Sequence, residues 1–180
     1  EEKWFINVAL RGNFRGNKQN TQSTLYPISN PANSVEMKDY TGSNSKSPSL
    51  DIYLQRNLKH NQAIILNTVG TYIHTYDDRT YEEKKHSDIV TDIYSAIRGK
   101  KYSFIGEGIY EKRFTNSKFS TGIRHQQSLT ENRYAGTSSA ETQMQEAYTS
   151  TYVEYSCKVK KFNYSLGLQG SRSWFNQEGE

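Results

Sequence analysis

The chain alternates with a period of two. Phe162, Tyr164, Leu166, Leu168 and Trp174 share one parity, while Asn163, Ser165, Gln169 and Ser173 take the other. Just upstream, Val153, Tyr155, Cys157 and Val159 alternate with Tyr152, Glu154, Ser156 and Lys158. Successive side chains on a strand point to opposite faces, so each arm reads as a strand with one apolar and one polar face. Lys160-Lys161 between them suits a two-residue hairpin turn. These arms, 145–159 and 162–175, are the last of about seven such strands. The first, 3–16, sets Trp4, Ile6, Val8, Leu10 and Phe14 against Asn7, Arg11, Asn13 and Arg15. The second, 48–58, sets Leu50, Ile52 and Leu54 against Asp51, Tyr53 and Gln55. In the third, 63–78, Ile64, Leu66 and Tyr72 compete with Ile65, Val69 and Ile73, which suggests a bulge. The fourth, 100–114, carries Tyr102, Phe104, Tyr110 and Phe114, and the fifth, 118–133, carries Phe119, Ile123 and Leu129.

The segments between strands differ in length. Residues 17–47, rich in Asn, Ser and Thr with Pro27 and Pro31, read as a long loop, and the charged stretch 79–99 as another with some strand extension. Gly136 to Gln143 reads as a Ser/Thr/Gly loop, whereas the turns near 59–62, 115–117 and 160–161 are short. Short turns on one side and long loops on the other mark an antiparallel outer-membrane barrel. The expected fold is all-β: an antiparallel up-and-down meander, part of a larger transmembrane β-barrel, with residues 1–180 forming one partial barrel domain. An odd, open sheet leaves two unpaired edges, and unpaired backbone groups in lipid cost several kcal/mol each. Alone, the chain is expected to form an open curved sheet or to aggregate.

Composition sharpens this. Apolar residues are 33% and mean hydropathy is −0.90, and the longest apolar run is Ala63–Leu66. That excludes a membrane helix, which needs about 18 apolar residues, but not a barrel wall, where every second residue faces lipid. Tyrosine is common, at 14 residues. The single Cys157 excludes an intrachain disulfide and a cysteine metal site, and its parity makes it a small hydrophobe. The net charge of +4 and pI near 9.0 raise nucleic-acid binding. However, the lysines gather at turns (Lys59, Lys100, Lys101, Lys118, Lys160, Lys161), not on one face with stacking aromatics. The opening Glu1-Glu2-Lys3 shows no signal-peptide pattern, so the chain reads as an internal piece of a longer precursor.

Gly99–Phe114, Lys118–His125 and Lys161–Leu168 resemble Gram-negative outer-membrane barrels related to TonB-dependent receptors. The likeness is one of hairpin style and covers the chain from Ser47 onward. It implies a wall segment of a barrel of about 22 strands around a plug, serving nutrient uptake or surface reception. The implied partners are outer-membrane lipid, the rest of the barrel and a plug in the parent chain, TonB through that plug, and an unknown ligand. Neither plug nor TonB-box segment is present in these residues.

If the apolar parity faces lipid, the other faces the lumen. Lumen candidates are Arg11, Tyr53, Gln55, Arg124, Gln126, Tyr148, Tyr152, Glu154 and Lys158, which either meet a ligand or plug or form a hydrated wall. Lipid-facing candidates are Trp4, Leu10, Leu50, Ile52, Phe104, Ile123, Val153, Tyr155, Phe162, Tyr164, Leu166, Leu168 and Trp174. Of these, Trp4, Phe162, Tyr164 and Trp174 fit aromatic girdles. Asp77-Asp78 and Glu82-Glu83 flank Arg79 without calcium-loop spacing, and His60, His74, His86 and His125 lack ligand spacing, so no metal is expected. No cofactor motif is present, and Gly106-Glu-Gly108 reads as room for a flat aromatic or a bend. No catalytic constellation is legible either, so a non-enzymatic role is expected. The alternatives are a soluble all-β binding module, whose sandwich needs a second sheet over Leu166, Leu168 and Val153, and an outer-membrane barrel enzyme.

Overall fold

The computed structural model describes residues 3–26, 34–86 and 88–179. They form one open sheet of seven antiparallel strands in sequence order. The strands are β1 (Lys3–Leu25), β2 (Val35–Leu58), β3 (Gln62–Lys85), β4 (Asp88–Arg113), β5 (Ser117–Ala135), β6 (Ala140–Val159) and β7 (Phe162–Gly179). At 18 to 26 residues they far exceed the usual five or six.

The expected long loops are corrected. Residues 17–25 and 35–47 continue β1 and β2, and 79–85 and 88–99 continue β3 and β4; residues 27–33 and Ser87 lie outside the described residues. Strand also resumes at Ala140, within the expected 136–143 loop. The two sides of the sheet thus differ mainly in how far the hairpins extend. Residues 17–25, 35–47 and 79–85 are mostly polar on both faces. Residues 88–99 carry apolar side chains on both, Ile89, Ile93 and Ile97 on one and Val90 and Tyr94 on the other. Alternation therefore carries no signal there, and the strand is set by cross-strand bonding instead.

The bulge expected in the third strand is absent. Pairing of β3 with β4 is continuous from Gln62 to Glu83, and the shift falls at Glu83/Lys84. Both parities of β3 are apolar for another reason. Ile65 stands opposite Ile109 and Val69 opposite Ile105, making an apolar strip on the second face. Pro48 lies within β2, and the β2–β3 ladder skips Ser47 and Pro48 between Lys46 and Ser49. Proline has no N–H to give it. The turn residues His60, Asn61, His86 and Lys160 adopt positive φ, which lets the hairpins turn without glycine.

Directly paired residues point to the same face, so the register assigns every side chain to one side. One rung runs Trp4, Arg56, Ile64, Tyr110, Thr121, Val153, Leu168. Another runs Leu10, Leu50, Gly70, Phe104, Gln127, Ala147, Trp174. This first face carries an apolar band across the sheet, which no other layer of the described residues covers, with Leu10 and Leu168 each 80% exposed. On the second face the buried serines Ser120, Ser128 and Ser150 are sheltered by longer neighbours.

Candidate functional site: a two-faced wall

The pleat puts all the lumen candidates on the second face. Arg11, Tyr53 and Gln55 fall on β1 and β2, and Arg124, Gln126, Tyr148, Tyr152, Glu154 and Lys158 on β5 and β6. They form two groups, separated by the apolar strip on β3 and β4. Arg11 pairs with Asp51. The Tyr53 hydroxyl donates to Gln55 Oε1 (2.7 Å), and Gln55 Nε2 donates to Asn57 Oδ1 (2.8 Å), a chain along one side of β2. Gln126 lies directly opposite Tyr148, and Ser165 donates to Glu154 Oε1 at 2.8 Å. Tyr152 lies over Gly122, where a Cβ would stand 2.5 Å from the ring. These contacts form a hydrogen-bonded polar surface; no single cluster gathers all the candidates.

The lipid-facing candidates all fall on the first face. Their band slants across the rungs. The rung through Trp4, where the β1 run to Phe14 begins, ends at Leu168, where the unbroken β7 run from Phe162 stops. The centre of the run therefore shifts by about eight residues, or about 26 Å, across six strand spacings totalling about 29 Å, a slant of about 40°. Transmembrane barrel strands tilt about 35–45°. With that slant His125 and Arg172, which share a rung with Val8 and Ile52, lie at the border of the band on the hairpin side. In β1 the run covers about 33 Å of strand, or about 25 Å once tilted, which is the height of a lipid-facing band.

Aromatic side chains mark both borders. Arg56 lies 4.9 Å over the Trp4 ring, and Phe162 meets Tyr164 with ring centroids 6.4 Å apart on the turn side. On the other side Tyr72 and Tyr102 are paired, 4.9 Å between centroids. Phe104 lies near Gly106, where a Cβ would come within 3.2 Å of its ring, so the glycine does give the aromatic room. Trp174 lies inside β7, not near its end, because the strand outruns the band.

Beyond the band, sequence reasoning missed a polar network on the second face. Arg79 donates twice to Asp39, from Nε (3.0 Å) and from an Nη nitrogen (2.7 Å). The Tyr81 hydroxyl donates to Glu83 Oε1 (2.6 Å), and Thr91 donates to Glu83 Oε2 (2.9 Å). The Arg79 hydrogen bonds hold the Asp39 carboxyl below its ordinary range. The Tyr81 and Thr91 hydrogen bonds lower Glu83, and the bond to Glu83 raises Tyr81. The acidic pairs were the visible signal, but strand geometry sends Asp77 and Asp78, and likewise Glu82 and Glu83, to opposite faces. Among the described residues no group of three or more His, Cys, Asp or Glu side chains converges. His125 meets Thr149 at 2.8 Å, while His60 and His86 occupy turns and His74 lies on β3.

No family model matches the chain, and no curated protein matches it significantly. Among solved structures it is similar to the copper transporter OprC at 7% identity and a TM-score of 0.26, over 99% of this chain and 43% of that one. It is also similar to Pseudomonas aeruginosa OccK11 (OpdR) at 7% identity and a TM-score of 0.15, over 89% of this chain and 71% of that one. The chain thus spans less than half the length of OprC. Likenesses at these TM-scores carry no argument, and the sheet itself bears the functional reading.

Proposed function

We propose that this chain is a wall segment of an outer-membrane β-barrel of the TonB-dependent-receptor type, serving nutrient uptake or surface reception in a Gram-negative cell. The observation that carries the reading is the slanted apolar band. It lies on one face, has the height of a hydrocarbon core, and is bordered by aromatics. The described residues make a single sheet, so the sandwich alternative has no second layer within them to cover Leu166, Leu168 and Val153. The second face, with its Tyr, Gln, Arg and Glu side chains, then lines the lumen and meets water, a plug or a passing ligand. Further strands complete the barrel from the free edges of β1 and β7.

Both tryptophans of the chain, Trp4 and Trp174, lie on the band face. After refolding into phosphatidylcholine vesicles, the fluorescence of Trp4, at the turn-side border of the band, is expected to be quenched by lipids brominated on the acyl chain, and that of Trp174, beyond the other border, less so. A chain that stays monomeric without detergent, with tryptophans indifferent to brominated lipid, overturns the reading.

A further inference from the structure

The turn end of the sheet is basic. The turns at 59–61, 114–116 and 160–161 lie side by side, and Lys59, Arg113, Lys118, Lys158, Lys160 and Lys161 stand in or beside them. Within residues 55–65, 109–120 and 155–165 the sole acidic side chain is Glu111, which Arg113 and Lys118 already engage. Among the described residues, no ion pair occupies Lys59, Lys158, Lys160 or Lys161. The far end of the tall β3–β4 hairpin is acidic by contrast, with Asp77, Asp78, Glu82, Glu83, Asp88 and Asp92.

This rim is continuous. The Arg113 amide donates to the Asn61 carbonyl (2.9 Å) and the Lys158 amide to the Asn116 carbonyl (2.8 Å), tying each turn to the next strand pair. Neighbouring turns are two strand spacings apart, about 10 Å, comparable to the Debye length, so their charges reinforce one another. The rim also adjoins the turn-side border of the band, where Phe162 and Tyr164 are exposed. A lysine stem can lie along apolar surface there while its ammonium reaches a phosphate.

We infer that the turn-end rim binds the phosphate headgroups of anionic phospholipids in the adjoining leaflet. This rests on the barrel-wall reading above. The partner is the lipid surface, because the turn lysines Lys59, Lys160 and Lys161 and the band-face Lys112 adjoin the face matched to acyl chains, whereas Arg113, Lys118 and Lys158 stand on the second face behind them.

Cys157 supplies the probe: it is unpaired, on the band face, and three residues from Lys160. The full chain, bimane-labelled at Cys157, is refolded into phosphatidylcholine vesicles containing phosphatidylglycerol, with bromine on the acyl chains of one lipid or the other. Phosphatidylglycerol is expected to be the favoured neighbour by about fivefold or more, the effect of a basic side chain near an anionic surface. The preference is expected to vanish in Lys59→Gln/Lys160→Gln/Lys161→Gln, which removes the turn lysines. It is expected to persist in Lys84→Gln/Lys85→Gln, which removes charge from the tip of the tall hairpin. Inorganic phosphate is expected to weaken it no more than sodium chloride of equal ionic strength. Quenching by brominated phosphatidylcholine with no anionic preference, equal losses in the two variants, or specific displacement by inorganic phosphate overturns the inference and leaves the wall reading standing. Absence of quenching by any brominated lipid overturns both.

Discussion

At the scale of single residues, the two faces obey different rules. On the second face, Tyr152 packs its ring over Gly122, and a Cβ at that glycine would lie 2.5 to 2.8 Å from ring atoms. Gly122→Val is therefore expected to destabilise the sheet by about 1–3 kcal/mol through overpacking, read as a lower urea midpoint in detergent. Adding Tyr152→Ala is expected to recover part of that loss, and additive effects would refute the contact. The network beyond the band responds to pH. Asp39 and Glu83 titrate below their ordinary values of 3.8 and 4.5, so their stabilisation is complete above those values and is lost as pH falls through the lowered ones. Tyr81 is raised above 10.0, so its share is complete below that value and lost as pH rises through the raised one. Carboxyl carbon-13 titration is expected to return Asp39 to its ordinary midpoint in Arg79→Gln. In Tyr81→Phe it is expected to raise Glu83 while leaving Asp39 in place.

At the scale of elements, the sequence made the apolar-banded half of each strand legible and hid the rest. Trp4–Phe14 and Phe162–Leu168 alternate because one face is apolar, and the period follows directly. Val35–Ser47 and Asp88–Gly99 are equally regular strands, yet the first is mostly polar on both faces and the second carries apolar residues on both, so neither shows a period of two. Their order comes from pairing with distant segments, which no local pattern records. The lumen candidates shared a face because parity alone decides that. The Asp39–Arg79 contact joins residues 40 positions apart and needed the register of β2 on β3. If the tall hairpin is an independent extension, excising Asp77–Ile97 and joining the paired residues Tyr76 and Arg98 through Asn-Gly should leave the wall intact. Far-ultraviolet circular dichroism is expected to keep its strand signal, and brominated lipid to quench Trp4 as before. Loss of either would show that the extension holds the wall together.

At the scale of the whole molecule, the odd strand count matters most. In a seven-stranded meander β1 and β7 run the same way, so the two edges cannot close on each other with antiparallel bonds. An odd number of further strands would complete an antiparallel ring. The 20.8 kDa chain alone is expected to associate through its bare edges in detergent, with light scattering giving masses above one chain. A clean monomer at every concentration would mean the edges are protected in some other way.

Pro48 bears on how such a wall moves. Its missing donor lies beside Tyr72, at the level where the sheet leaves the apolar band, and the β2–β3 ladder is interrupted there over two residues. The β1–β2 and β3–β4 ladders run unbroken past the same level, so the gap loosens a single seam of the sheet. At that level β2 and β3 are held in place only through their outer neighbours, β1 and β4.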